Sequence, residues 1–276
     1  MGRLLEIKIS NFASFHGLIM IVSVGLLGDI IAISLAKNAD KLTGGTRIRI
    51  EDYPHYASVR HRGHHICGGS IITPSHILTS ASCVVYESMV VTGNLQVLIG
   101  STSIFSDEPS SSLHEISFII YHEDYSARNY WIHDIAILKL ESPIFFSSIR
   151  SKIDLPDRRI SARSIVRVIG WNEFLIPQNS EAKYLHMVSM KINSYAECHQ
   201  IIQDNPGVHF YYHACASTIL SNEAITLGDS GGAVIYKSQV VGVISVQIPI
   251  SRGKSPVLIT KVFDYIEWIN KIIDKV

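Results

Sequence analysis

The sequence lacks several features that would each point to a definite class of protein. Its 24 basic and 24 acidic residues cancel, so no excess charge of one sign favours nucleic acid or a strongly charged substrate. No Asn-x-Ser/Thr sequon occurs, and N-glycosylation is therefore not expected. There is no internal repeat, and the one low-complexity tract is Ser110–Ser112. What remains is an ordinary globular composition, 47% hydrophobic, with enough apolar residues for a core.

The first 39 residues differ from the rest. Arg3 and Lys8 precede an apolar run over residues 18–27, and Ser34–Ala36 supplies the small residues that a signal peptidase prefers. This arrangement predicts a signal peptide over residues 1–36 and a secreted, extracellular protein that has no membrane association once the signal is removed.

A membrane anchor over residues 18–36 is the alternative. That length is marginal for a bilayer span, and Asp29 near its centre would be costly in lipid. The four cysteines, an even number, are consistent with an oxidising compartment, and they allow three disulfide connectivities.

The remaining stretch of about 235 residues suits one large all-β unit or two barrels. Short apolar stretches rich in β-branched residues are broken by turn residues about every ten positions, which is an all-β pattern. Near the end, Phe263, Ile266, Ile269 and Ile272 recur at helical spacing and predict a terminal amphipathic helix. Pro143 to Pro156 is a connecting stretch with weak periodicity, where we place the boundary between the barrels.

Five short motifs resemble those of the trypsin-like serine proteases (peptidase S1) in order and spacing: Cys67–Ser70, Asp134–Leu138, Gly170–Trp171, Gly228–Gly232 and Thr260–Val262. The resemblance covers residues 42–276. It implies two antiparallel six-stranded β-barrels, at about 42–150 and 157–262, with the active site in the cleft between them and a helix at about 263–275.

The resemblance also assigns roles to individual residues. Ser230 matches the nucleophile, and the backbone N–H groups of Gly228 and Ser230 match the oxyanion hole. Asp134 matches the carboxylate that orients the base, and Ser245 matches a serine that supports it. The implied disulfides join Cys67 to Cys83 and Cys198 to Cys215.

The decisive departure from the family is Ser82. It stands in Leu78–Cys83 where the family has the histidine that acts as general base, and a serine hydroxyl is a poor proton acceptor near neutral pH. Losing the base of such a triad typically costs on the order of a million-fold in turnover. Two other histidines could be considered as a replacement base: His133, which adjoins Asp134, and His76, which lies six residues before Ser82. We expect neither imidazole to lie between Asp134 and Ser230.

The specificity pocket also departs from the family. Ala224 stands where trypsin has the aspartate at the pocket base, and Gln247 and Val257 stand where many members have glycines along the walls. We expect these side chains to fill the pocket, the alternative being a shallower pocket for small residues. Val246 replaces the usual tryptophan. Thr226 occupies a position of the family's third common disulfide, which is absent.

The site at which the family's zymogens are cleaved is only partly retained in this sequence. Lys41–Leu42 resembles the family's cleavage junction, and a signal cut after Ala36 would leave a short pro-segment over residues 37–41. After cleavage, the Leu42 amine would pair with Asp229, which matches the family's acid for that amine. A vestigial junction is the alternative.

Two further segments concern metals and partners. Arg60–His65 carries two arginines and three histidines, and we expect a loop that is solvated, forms an exosite for a protein through Arg60, Arg62, His64 and His65, or binds zinc. The family's calcium loop would lie near residues 100–112, where Ser101 and Ser111 replace acidic ligands. We therefore expect no metal and no cofactor.

These observations favour a secreted, inactive protease homologue that works by binding a protein. The lost base, the filled pocket and the missing disulfide resemble the inactivated serine protease paralogues of parasitic mites, a group that interferes with host complement in immune evasion. A component of complement or of another proteolytic cascade is thus a candidate partner. The alternatives are a trypsin-class endopeptidase with an impaired or unusual mechanism, and a structural or antigenic secreted protein.

Overall fold

The computed structural model describes residues 6–8, 45–86, 89–91, 93–105, 108–171, 184–201, 212–220, 223, 225, 227–248 and 256–276. The pro-segment, the Lys41–Leu42 junction, Ala224, Thr226 and all of the expected signal peptide except Glu6–Lys8 lie outside these residues.

Sixteen strands account for most of the regular structure. In chain order they are β1 (Glu6–Lys8), β2 (Thr46–Arg47), β3 (Tyr56–His61), β4 (His64–Thr73), β5 (His76–Thr79), β6 (Val85–Tyr86), β7 (Met89–Val90), β8 (Leu95–Ile99), β9 (Ser112–Tyr121), β10 (Ala136–Leu140), β11 (Ile165–Gly170), β12 (His186–Ile192), β13 (His213–Thr218), β14 (Ala233–Tyr236), β15 (Gln239–Gln247) and β16 (Val257–Lys261).

Two closed antiparallel barrels of six strands each confirm the expected fold. The first runs in the order β9, β10, β5, β4, β3, β8 and closes where β8 pairs with β9. The second runs in the order β11, β14, β15, β16, β13, β12 and closes where β11 pairs with β12. Closure leaves no free sheet edge along these strands.

Two short strands join the barrels from outside. β1 pairs with β9, Glu6 lying opposite Ile120. β2 pairs with β12, Thr46 lying opposite Met187, so this stretch belongs to the second sheet although it precedes the first barrel in sequence. The first barrel therefore begins at Tyr56 rather than near residue 42.

Within the described residues, helices are few and short. α1 (Tyr195–Ile201) begins with a capping box in which the hydroxyl of Ser194 accepts the Glu197 N–H and the carboxylate of Glu197 accepts the Ser194 N–H. α2 (Ile266–Ile273) is the expected terminal helix, and it buries Ile269 and Ile272. Among the described residues, no helix is both long enough and apolar enough to span a membrane.

The barrels share a core where they meet. Tyr56 and Leu78 from the first barrel and Ile169 from the second belong to one buried cluster. Trp171, also in that cluster, donates its indole N–H to the carbonyl of Thr102 across the junction at 3.0 Å. This packing fixes the barrels against each other and thereby positions the residues of the cleft.

Candidate active site

Four polar residues of the expected site come from both barrels. Ser82 lies in a 3₁₀ turn after β5, and Asp134 lies two residues before β10, both in the first barrel. Ser230 lies in the turn three residues before β14, and Ser245 lies in β15, both in the second barrel. The disulfide Cys67–Cys83 ties the turn that carries Ser82 to β4.

Asp134 is the centre of the hydrogen-bond network. Its carboxylate is fully buried, and it accepts the Ser82 backbone N–H on Oδ1 at 2.7 Å and the Ser82 hydroxyl on Oδ2 at 2.9 Å. The hydroxyl of Ser245 also donates to Oδ2, and the hydroxyl of Thr260 donates to the main-chain carbonyl of Asp134. The carboxylate is thus held by two serine hydroxyls and by the backbone N–H groups of Ser82 and Ala81, as buried charge requires.

Burial raises the pKa of Asp134 to about 6, because desolvation penalises the ionised carboxylate. The hydrogen bonds from Ser245 and from Ser82 act in the opposite direction. In a working triad a protonated imidazole would lower the pKa of this carboxylate further. Here the stabilising partners are hydroxyls, which carry no charge.

Ser230 directs its hydroxyl away from the carboxylate network. Its Oγ donates to the main-chain carbonyl of Ser245 at 3.0 Å. A carbonyl oxygen cannot take the proton as a general base does, so this contact does not activate the hydroxyl. The two histidines weighed as substitutes bind elsewhere: Nδ1 of His133 contacts the Tyr265 hydroxyl, and Nδ1 of His76 contacts the Thr73 hydroxyl.

The turn before Ser230 is a 3₁₀ helix, Leu227–Asp229. In such a helix the N–H of residue i+3 faces the carbonyl of residue i, which directs the Ser230 N–H toward the Leu227 carbonyl. The Ser230 N–H, one of the two expected donors of the oxyanion hole, is therefore directed into the turn rather than toward a substrate.

His65 supports this turn from the first barrel. Its Nε2 lies 2.9 Å from the Gly228 carbonyl, and its Nδ1 lies 2.8 Å from the Ser58 hydroxyl. A carbonyl only accepts, so Nε2 carries the hydrogen and Nδ1 accepts from Ser58. Burial lowers the pKa of His65 to about 4, which agrees with this neutral form.

Asp229 is the second buried carboxylate of the region. It is fully buried, and it raises the pKa of the Tyr56 hydroxyl, which burial already raises. Gly170 leaves room for it, since a Cβ at this position would overlap the Asp229 Oδ1. Its expected partner, the Leu42 amine, lies outside the described residues.

The described part of the specificity pocket is largely packed. Val257 is 1% exposed and belongs, with Ile225, to the core cluster of the second barrel. Gln247 is half-buried at the position opposite Val257, and Val246 packs against the cluster around the Cys198–Cys215 disulfide. Both disulfides have the pairing that the resemblance implied.

The expected exosite over Arg60–His65 requires a correction. The segment is not a loop but the end of β3, a turn at Arg62–Gly63 and the start of β4. Arg60 is 8% exposed and bonds to the Gly63 carbonyl, while His65 is 7% exposed for the reasons given above. Arg62 and His64 are exposed. Arg60 and His65 are buried, so their side chains cannot contact a partner in this structure.

Near residues 100–112, where the family has a calcium loop, a carboxylate holds the backbone. Glu108 accepts the backbone N–H groups of Thr102 at 2.8 Å and Ser103 at 3.0 Å, and the hydroxyl of Ser101 donates to the Ser103 carbonyl. Within the described ranges, no three or more His, Cys, Asp or Glu side chains are grouped so that they could hold a metal ion.

Comparison with known proteins gives a family for this fold and site. The family model described as Trypsin matches residues 42–269. Similar proteins include cationic trypsin-3 of Rattus norvegicus, 28% identical over 253 residues that cover 92% of this chain and 98% of the rat protein. Hypodermin-A of Hypoderma lineatum is 31% identical over 237 residues, covering 84% of this chain and 87% of that protein.

A trypsin of Phaedon cochleariae is 29% identical over 234 residues, which cover 84% of this chain and 88% of the beetle protein. The match extends over both barrels and includes the positions of Asp134, Ser82 and Ser230. On its fold, its two disulfides and this match, the chain belongs to the trypsin family of serine proteases.

Proposed function

We propose that the protein is a catalytically inactive member of the trypsin family that works by binding another protein. The observation that carries this proposal is the hydrogen bond from the Ser82 hydroxyl to Asp134 at 2.9 Å. A hydroxyl stands where the general base belongs, and its proton is directed at the carboxylate. No group at this position can therefore accept the proton of Ser230.

Two further contacts support the proposal. The Ser230 hydroxyl donates to a main-chain carbonyl, and the 3₁₀ turn before it directs the Ser230 N–H toward Leu227. The first contact leaves the nucleophile unactivated, and the second removes a donor from the oxyanion hole. Each defect in a triad enzyme costs orders of magnitude in turnover, about a million-fold for the base and a hundred- to thousand-fold for one oxyanion donor.

The proposed site of action is extracellular. The two disulfides fit an oxidising compartment, and the expected signal peptide would direct the chain there. The proposed partner is a protein of a proteolytic cascade, with host complement as the leading candidate. That choice depends on the resemblance to the inactivated protease paralogues of parasitic mites.

An endopeptidase with an impaired mechanism is the second candidate function. The retained Asp134, Ser230 and Ser245 favour it, because all three keep their places in the hydrogen-bond network. The relatives, which include proteins named trypsin, also favour it. The two candidates differ in whether Ser230 reacts with an electrophile.

Labelling with a fluorophosphonate probe tests the proposal. The chain is cleaved after Lys41 or expressed from Leu42, and the labelling rate is compared with that of its Ser230→Ala variant and of a trypsin. We expect wild type and variant to be indistinguishable. Ser230-dependent labelling at a rate approaching that of the trypsin would establish the endopeptidase instead.

The binding half of the proposal needs its own measurement. The immobilised protein is exposed to plasma, and the retained proteins are identified by mass spectrometry. We expect the same complement or protease-cascade component on wild type and on Ser230→Ala, because a nucleophile without a base contributes nothing to affinity. Retention of no such component by either protein would contradict the binding function while leaving the labelling result unaffected.

A further inference from the structure

A cleft of about 1070 Å³ lies on the outside of the second barrel, beside the segment that connects the barrels, and shares no residue with the remnant triad. Three parts of the chain line it: residues 48–55 before the first barrel, residues 151–154 of the connection between the barrels, and the outer face of the second barrel at β11, β12 and the β14–β15 turn. Its volume is at the upper end of the range for ligand-binding pockets.

The walls of the cleft are fixed by backbone hydrogen bonds. Ser151 N–H donates to the Pro54 carbonyl at 2.9 Å, and Val240 N–H donates to the Asp154 carbonyl at 3.0 Å. The Tyr53 hydroxyl reaches the sulfur of Met187 at 3.4 Å. The connecting segment is thus tied to both barrels, and a ligand would enter a cleft that is already formed, at a small cost in ordering.

The cleft is lined by more basic than acidic side chains. Lys152 and Asp154 form an ion pair at 3.1 Å, and the Asp52 carboxylate accepts a backbone N–H at the start of the 3₁₀ turn that contains it. Arg167 and Lys237 also line the cleft and are exposed, and neither forms an ion pair with another described residue. Lys237 lies 5.3 Å from the centroid of the Tyr236 ring and also interacts electrostatically with Asp157. Both it and Arg167 are exposed to carboxylates of a ligand.

An aliphatic side chain stands at the edge of the cleft. Ile165 is 52% exposed at the start of β11, and it also lines a second depression of about 470 Å³ that Ile219 borders on the outside of the same barrel. Ile165 is shared by both depressions, so an extended ligand lying over it would reach each of them. An exposed aliphatic residue at such a junction is a typical contact for an apolar side chain of a partner.

The turn that presents Lys237 is strained. Lys237 has a φ of 48° and Ser238 a φ of 63°, in a two-residue hairpin turn between the paired Tyr236 and Gln239. Turns of this kind prefer Asn-Gly, because residues other than glycine lose stability at positive φ. Strain of this sort is concentrated at binding sites, where it is tolerated because it positions a side chain.

We propose that this cleft binds an extended segment of a protein partner that carries acidic and aliphatic side chains. Arg167 and Lys237 bind its carboxylates, and Ile165 packs against an aliphatic side chain of the same segment. The proposal names the binding surface of the proposed function and rests on it. It does not depend on the reactivity of Ser230, which the probe experiment measures separately.

Selection from a random heptapeptide phage library tests the proposal. The bait proteins are the wild type, the charge-reversed variant Arg167→Glu/Lys237→Glu, and the matched control Lys271→Glu/Lys275→Glu, whose exposed lysines lie at the end of the chain. We expect wild type and control to enrich peptides with Asp or Glu beside Leu, Ile or Val. The charge-reversed variant should lose these peptides by at least about tenfold and enrich Lys and Arg instead.

Several outcomes would overturn the proposal. They are enrichment of no peptide, equal binding of the acidic peptides to wild type and the reversed variant, and a charge-dependent binding of heparin in place of peptides. All four substituted side chains are exposed, so each variant is expected to keep the wild-type melting temperature. The cleft proposal can fail in the peptide selection while Ser230 stays unreactive toward the probe and a plasma protein is still retained. In that case the binding surface lies elsewhere on the protein, and the proposed function is not contradicted.

Discussion

Ser82 donates two hydrogen bonds to the carboxylate of Asp134, from its backbone N–H at 2.7 Å and from its hydroxyl at 2.9 Å. An imidazole at this position has two nitrogens, so it can donate to the carboxylate and accept from the nucleophile at once. The single hydroxyl of Ser82 uses its proton on Asp134. The substitution therefore satisfies the buried carboxylate and interrupts the connection to Ser230.

Restoring the histidine alone should not restore trypsin-like activity. In Ser82→His the base returns, but the turn before Ser230 and the packed Val257 still oppose the binding of a substrate and its transition state. We expect arginine-ester hydrolysis at least about a thousand-fold below that of a trypsin. Steady-state kinetics on a small arginine ester measures this.

The control for that experiment is the variant Ser82→His/Ala224→Asp/Gln247→Gly/Val257→Gly, which also rebuilds the pocket. Its activity is expected to exceed that of the single variant. Efficient hydrolysis by the single variant would show that the pocket and the turn present no obstacle.

Stability should fall as the pH is lowered from 7.5 to 5. Burial lowers the pKa of His55 and of His65 to about 4, whereas the unfolded chain binds these protons near pH 6.5, so the folded state loses stability between those values. Asp134, whose pKa is raised to about 6, acts in the opposite direction below pH 6. Together these shifts predict a net loss of about 2–3 kcal/mol at pH 5.

Urea denaturation at several pH values measures this loss. His76 is another histidine whose pKa is lowered to about 4 by burial. The variant His55→Gln removes one of these histidines, and its loss should be smaller by about 2 kcal/mol. Parallel curves for wild type and variant would show that His55 is not buried in its neutral form.

The residues of the remnant triad and both disulfide pairings could be located through the resemblance to the trypsin-like proteases, whose motifs occur in this sequence in the family's order and spacing. Ser82 lies beside Cys83, and Ser230 lies beside the glycine at 231 with a φ of 77°. The residues alone left three disulfide connectivities open, and the structure has the pairing that the resemblance implied.

Other features depend on contacts between distant residues and could not be predicted. His65 is buried because it reaches Gly228, 163 residues further along the chain. Thr46 pairs with Met187, so the stretch before the first barrel joins the second. α1 did have a local signal that could have predicted it, the capping box formed by Ser194 and Glu197.

Relieving the strained hairpin should stabilise the protein. Ser238→Gly places a glycine at a φ of 63°, and we expect a gain of about 1 kcal/mol in the free energy of unfolding. The matched control is Ser161→Gly at an exposed position without positive φ, which should lose several tenths of a kcal/mol through the added freedom of the unfolded chain. Thermal and urea unfolding measure both variants, and equal effects would contradict the strain.

Filling the space beside Asp229 should be strongly destabilising. In Gly170→Ala the new methyl group would overlap the Asp229 carboxylate, which is fully buried and cannot move into solvent. Overpacking of this kind costs about 1–3 kcal/mol, and displacing a buried carboxylate adds to that cost, so we expect a loss of at least about 2 kcal/mol. Gly93→Ala is the control, because a Cβ there meets no atom within 4 Å. A loss in Gly170→Ala no larger than in this control would mean that Asp229 does not occupy the space beside Gly170.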